Sequence, residues 1–220
     1  MKKYEIISLG SYCLPRAVLT RHGLKASRLN GELTLPFDLV DHNAAFITEM
    51  IEQDFNGYFD DIYFDEAENH WSRAGKTIKF THDDFTADEK HLLFERCTNR
   101  IKNFRQTITT DLPVLFVQAI KGPNDDVNNL YAVLKRLRGS KPFELAVIDI
   151  AGCVINAQPG IKVLHLPYPY QGYQWFEPDC YLTESGKAFE SRIIDFCKTM
   201  ITENLNCQLV QWENQFSLQY

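Results

Sequence analysis

The chain of 220 residues has the composition of a globular protein, with 45% hydrophobic and 24% charged residues. Its net charge of −6 and the lack of a basic run argue against binding to nucleic acid or to an anionic membrane. The 6 cysteines form no CxxC pair and no metal-site spacing. We therefore expect free thiols in a cytoplasmic protein, without a metal or a cofactor.

No stretch approaches the ~18 apolar residues that a membrane-spanning helix needs. The apolar run after Met1 is interrupted by Glu5 and ends at Gly10, which is too short for a signal peptide. We expect one α/β domain over residues 1–220, since this length can bury a large core.

Strand and helix patterns alternate along the first half of the chain. Residues 4–9 form an apolar run that predicts a strand, residues 10–12 predict a tight turn, and residues 14–22 predict a helix with Pro15 in its first turn. Further elements are predicted as a turn at 36–38, a helix at 44–53 capped by Asn43, a strand at 76–80 and a helix at 87–108 capped by Thr86. Residues 54–71 have neither the helical nor the strand period of apolar residues, so no element is predicted there.

The second half contains continuous apolar runs, which are typical of strands buried on both faces. Strands are predicted at 114–117, 145–148 and 161–166, and helices from Asn124 or Asp125 to Gly139 and over 183–205. This order predicts a three-layer α/β/α fold with a mainly parallel sheet, flavodoxin-like or SGNH-like.

Cys13 follows the first strand and precedes the first helix. Ligands of parallel sheets bind beyond the carboxyl ends of the strands, so the position suits a nucleophile. The helix terminus favours the thiolate, by itself enough to bring the pKa of the thiol to about 7–8. The other interpretation is an inert, buried cysteine that closes the turn.

His82 is the best candidate for a base that accepts the thiol proton, because it follows the strand at 76–80. Asp38 or Asp83 could orient its ring, and Asp149 is a further possibility. His165, inside a late strand, is a reserve base. The aromatic segment 166–175 could line an acyl or sugar pocket, but a hydrophobic flap on the core is favoured.

The motif Ser8-Leu9-Gly10-Ser11-Tyr12-Cys13, followed by Pro36-Phe37-Asp38, resembles a bacterial family described as papain-like cysteine peptidases, a domain of unknown function. The resemblance covers roughly the first 120 residues and includes His82-Asp83 and a helix with Arg96, Arg100 and Phe104. Leu39 stands where the family often has Trp. The resemblance implies thiol chemistry with Cys13 and His82.

Three functions remain open from the sequence. The leading hypothesis is a cysteine hydrolase or acyltransferase for an acyl, peptide or other small-molecule substrate, with Cys13, His82 and Asp38 or Asp83 as catalytic residues. Gly10, Ser11 and Tyr12 and the N–H groups around Tyr12–Leu14 would bind the oxyanion. The alternatives are a non-catalytic binding module of a surface-polysaccharide or nucleotide-sugar pathway and a structural partner protein. The oligomeric state is not indicated.

Overall fold

Strands and helices alternate along the computed structural model, which describes residues 4–10, 12–74, 78–80, 82–122, 126–153 and 155–213. In chain order the elements are β1 (Glu5–Ser8), α1 (Leu14–Arg21), α2 (Ala44–Glu52), β2 (Ile62–Asp65), β3 (His70–Arg73), β4 (Ile78–Phe80), α3 (Lys90–Ile108), β5 (Val114–Ile120), α4 (Val127–Arg138), β6 (Phe143–Asp149), β7 (Ile161–His165), α5 (Pro178–Tyr181) and α6 (Glu184–Thr199). Short 3-10 turns cover Arg28–Asn30 and Ala87–Glu89, and a π-helical turn covers Met200–Asn204.

Four strands form an all-parallel sheet in the order β1-β5-β6-β7. Ser8 at the end of β1 pairs with Val117, and Asp149 at the end of β6 pairs with Ile120 on one side and His165 on the other. All four carboxyl ends therefore meet at one edge. The predicted α/β fold with a mainly parallel sheet is confirmed.

Both faces of this sheet are covered by apolar packing. Ile7 and Phe116 belong to a core shared with α2, α3 and α4, whereas Ile6 and Val117 belong to a second core shared with α1 and α6. Successive side chains of a strand point to opposite faces, so a strand covered on both sides needs apolar residues at every position. This arrangement is consistent with three α/β/α layers.

β2, β3 and β4 form a separate antiparallel sheet. The strand predicted at 76–80 is present as Ile78–Phe80, and its first two residues lie outside the described ones. β4 pairs with Trp71–Arg73 and not with the parallel sheet. The residues after β4 therefore approach the parallel sheet from a second sheet.

The predicted helix caps are largely present. Asn43 accepts a hydrogen bond from the N–H of Phe46 at 2.9 Å, and Thr86 and Glu89 form a reciprocal capping box. Asp126 caps α4, while Asn124 and Asp125 lie outside the described residues. Within the described part of the chain, no helix is long and apolar enough to cross a bilayer.

Candidate active site

The turn between β1 and α1 places Cys13 at the carboxyl edge of the parallel sheet. The carbonyl of Gly10 accepts a hydrogen bond from the N–H of Ala119 at 3.3 Å, which ties the turn to β5. Gly10 has φ +84°, and a Cβ there would lie 3.1 Å from the Phe37 carbonyl oxygen and 3.2 Å from that of Val40. Glycine is favoured at this position, because φ is positive and the carbonyl groups of Phe37 and Val40 pack directly against it.

Cys13 and His82 are hydrogen-bonded. The Sγ atom of Cys13 lies 2.8 Å from Nε2 of His82, across 69 residues of sequence. Cys13 is the N-cap residue of α1 and is 5% exposed, whereas His82 is half-buried. His82 follows the carboxyl end of β4, so the two members of the pair come from different sheets.

Burial determines the protonation state of the thiol. The pKa of Cys13 is raised to about 12, chiefly by burial and in part by the nearby carboxylate of Asp38, whereas the guanidinium of Arg16 lowers it. The expectation that the helix terminus would favour the thiolate is therefore wrong. A helix terminus contributes ~1 kcal/mol, which is less than the cost of placing a thiolate in a buried site.

The imidazole of His82 is also held neutral. Burial lowers its pKa; the charge of Asp83 opposes this effect, and that of Arg100 adds to it. The raised pKa of the thiol and the lowered pKa of the imidazole both favour a neutral pair, with the proton on sulfur, over a thiolate–imidazolium pair.

Asp38 and Asp83 each bind arginine. Asp38 pairs with the Arg16 guanidinium and accepts a 2.8 Å hydrogen bond from the N–H of Leu35. Asp83 accepts two 2.8 Å hydrogen bonds from Arg100 and one 3.0 Å bond from Arg96. Both carboxylates are buried, and they influence Cys13 and His82 through their charge.

The predicted oxyanion-binding turn is partly described. Gly10 and Tyr12 both have positive φ, +84° and +65°, whereas Ser11 lies outside the described residues. Leu14 and Arg16 are in the first turn of α1, where N–H groups have no partner within the helix. An oxyanion-binding role for this turn stays a prediction.

His165 belongs to a different cluster. Its Nδ1 lies 2.8 Å from Oδ2 of the fully buried Asp149, and the two residues are paired across β6 and β7. β5 and β6 separate His165 from β1. The imidazole bonded to Cys13 is that of His82, so the reserve base and Asp149 lie apart from the pair.

The aromatic segment 166–175 packs on the second core. Tyr173 and Trp175 are buried, and the Tyr173 ring lies 5.3 Å from that of Phe189 on α6. This agrees with the favoured interpretation of a hydrophobic flap. Tyr168 is half-buried, and its pKa is raised chiefly by burial, with a smaller contribution from the nearby Tyr12.

A cleft of about 890 Å³ opens beside His82. One wall is a face of α3, and the other is the loop over residues 28–34. Leu39, which stands where the resembled family often has Trp, also lines the cleft and packs against the core that contains Cys13. The cleft therefore leads from solvent to the base of the pair.

A family model matches residues 4–148, which include the turn at Cys13, the Pro36–Asp38 turn and His82. The chain belongs to the putative papain-like cysteine peptidase family (DUF1796). The resemblance noted in the sequence is thereby confirmed, and the family description supports a cysteine-peptidase-like function in general terms. No curated protein and no solved structure matches the chain.

Two residues of the site had no assigned part in the sequence-based prediction. Arg16 lies one turn after Cys13 and is nearly buried, and Lys121 follows β5 with its Nζ 3.0 Å from the centre of the Tyr12 ring. Lys121 also pairs with Asp41. For Arg16, the signal was a charged residue on an otherwise apolar helix face.

Proposed function

We propose that this protein is a cysteine hydrolase or acyltransferase that acts on an acyl or peptide substrate. Cys13 is the nucleophile and His82 is the general base. The observation that carries the proposal is the 2.8 Å contact between Sγ and Nε2 at the edge where ligands of parallel sheets bind.

The neutral pair supports a concerted proton transfer. As Sγ attacks the carbonyl carbon, its proton moves to Nε2, so a thiolate never has to exist alone in the buried site. The resulting imidazolium then donates that proton to the leaving group as its bond to carbon breaks. Water, or an acceptor hydroxyl or amine, then attacks the acyl carbon and gives its proton to His82. As the carbon–sulfur bond breaks, the imidazolium returns that proton to Sγ.

The surrounding charges favour this sequence of steps. The buried Asp83 stabilises the imidazolium of His82 while Arg100 holds the carboxylate in place. The developing oxyanion would be bound by N–H groups of the turn at Tyr12–Leu14. In this proposal Asp38 and Asp83 are positioning residues, since each carboxylate is bound to arginine.

Turnover of acyl thioesters and short peptides by Cys13→Ala and Cys197→Ala variants tests the proposal. Cys197 is the matched control, because it is also buried and burial raises its pKa to about 12 as well. We expect loss of turnover in Cys13→Ala and retention in Cys197→Ala. Full activity of a folded Cys13→Ala protein would contradict the proposal. No turnover of any substrate by the folded wild type would favour the alternative of a binding module.

A further inference from the structure

The arginines beside His82 carry more charge than their carboxylate neutralises. Asp83 is fully buried, and Arg100 alone occupies both of its oxygens with two 2.8 Å hydrogen bonds. Arg96 adds a third bond, at 3.0 Å, to an oxygen that Arg100 already uses. Two guanidinium groups on one carboxylate leave one positive charge in excess.

Arg96 is held in a fixed position and faces the cleft. Its guanidinium carbon lies 4.1 Å from the centre of the Phe85 ring, a cation–π contact that limits its motion. Its side chain is 44% exposed, and it lines the cleft together with His82. Within the described part of the chain, Asp83 is the only carboxylate within 4 Å of it.

We propose, on the basis of the proposed function, that Arg96 recognises a carboxylate of the substrate. An arginine guanidinium has five N–H donors in a planar fork that matches a carboxylate. Arg96 uses one nitrogen for Asp83, so the others remain for a ligand. Asp83 directly follows His82, so Arg96 lies close to the base of the pair. The substrate carboxylate that Arg96 binds would therefore lie within a few residues of the bond that Cys13 attacks.

The cleft as a whole does not favour anions, and this gives the proposal its specificity. The lining contains three arginines and three carboxylates, so its charges balance: Arg28, Arg96 and Arg100 against Glu32, Asp84 and Glu95. A general attraction of negative charge is therefore not expected. The preference should be for one carboxylate at one position, and it should depend on Arg96.

Four thioester substrates test the proposal. They carry either Glu or Gln beside the scissile carbonyl, and either a free acid or an amide at the far end. We expect kcat/KM to be about tenfold higher either for the Glu substrate or for the free acid, but not for both. Arg96→Gln should abolish this preference, and Arg100 keeps Asp83 paired in that variant. Arg105→Gln is the matched control, because Arg105 is on the same helix and pairs with the exposed Asp54 outside the cleft.

Equal kcat/KM for acid and neutral substrates, or a preference that survives in Arg96→Gln, would overturn the proposal. A second measurement separates it from failure of the proposed function. If no substrate turns over, thermal unfolding with glutarate, glutaramide and inorganic phosphate still reports the site. Stabilisation of the wild type and Arg105→Gln by glutarate, but not of Arg96→Gln, supports the proposal. Stabilisation by phosphate alone, or by none of the three, overturns it.

Discussion

The carboxylate of Asp38 and the guanidinium of Arg16 form a buried ion pair next to Cys13. Arg16 is in the first turn of α1, three residues after the thiol, and Asp38 ends the Pro36–Asp38 turn. Asp38 raises the pKa of Cys13, and Arg16 lowers it. The pair therefore joins two sequence motifs and sets part of the electrostatic field at the sulfur.

Asp38→Asn should make Cys13 more acidic and the protein less stable. The lost negative charge lowers the pKa of Cys13, so iodoacetamide should alkylate Cys13 faster at a given pH. Breaking a buried ion pair costs about 3 kcal/mol of unfolding free energy, measured by urea unfolding. The control is Glu68→Gln in the exposed pair with Lys79, where solvent screens both charges and a much smaller loss is expected. An equal effect of both changes would contradict this account of the pair.

The pH dependence of turnover should have an acidic limb below pH 6.5 and no alkaline limb before about pH 9. Protonation of His82, whose pKa is lowered by burial, removes the base on the acidic side. The thiol stays protonated because its pKa is raised to about 12. A preformed thiolate–imidazolium pair would instead lose activity as the imidazolium gives up its proton above pH 8. An alkaline limb of that kind in kcat/KM would rule out the neutral pair.

The strands of the parallel sheet and the turn at Cys13 could be predicted from the local sequence, because a continuous apolar run such as 114–117 needs a sheet buried on both faces. The region of β2 and β3 could not be predicted in this way. All four side chains of His70–Arg73 are buried, so polar residues lie inside and no alternation is visible. The Cys13–His82 contact was predicted from the residue types and the family motif, although His82 comes from the second sheet. The arginine partners of Asp38 and Asp83 depend on contacts across 22 and 17 residues, which no local pattern indicates.

Gly10→Ala should be more destabilising than Gly172→Ala. Both glycines have φ +84°, so alanine costs each about 1 kcal/mol for the left-handed conformation. At Gly10 the new Cβ would also press on the carbonyl oxygens of Phe37 and Val40, whereas at Gly172 no atom lies within 4 Å. The difference between the free energies of unfolding of the two variants measures the contribution of the close contact between Gly10 and the carbonyl groups of Phe37 and Val40. Equal values would show that this contact contributes nothing.

His42 should make the protein lose stability as the pH falls. Its ring is buried, stacked on Phe46 at 4.8 Å and edge-on to Phe37 at 5.5 Å. Burial lowers its pKa from 6.5 to about 3. Between these values the unfolded chain binds a proton that the native protein does not, so unfolding becomes easier by about 1.4 kcal/mol per pH unit.

His42→Phe keeps an aromatic ring at this position and should reduce that slope by about 1.4 kcal/mol per pH unit between pH 6 and pH 4. His91→Gln is the control, because His91 is exposed on α3. Urea unfolding at several pH values gives the slopes directly. The same slope in the wild type and His42→Phe would show that His42 does not titrate as its burial implies.

Acylation of Cys13 by an acyl thioester, followed by peptide mass spectrometry in the wild type and in His82→Ala, tests the central claim most directly. We predict one acyl group per chain on Cys13 in the wild type. Its rate of formation should fall about 100-fold or more without His82, since a buried thiol needs a base to take its proton. Cys97, equally buried, should stay unmodified in both proteins. Acylation spread over the partly exposed Cys153 and Cys180, or an unchanged rate at Cys13 in folded His82→Ala, would contradict the account.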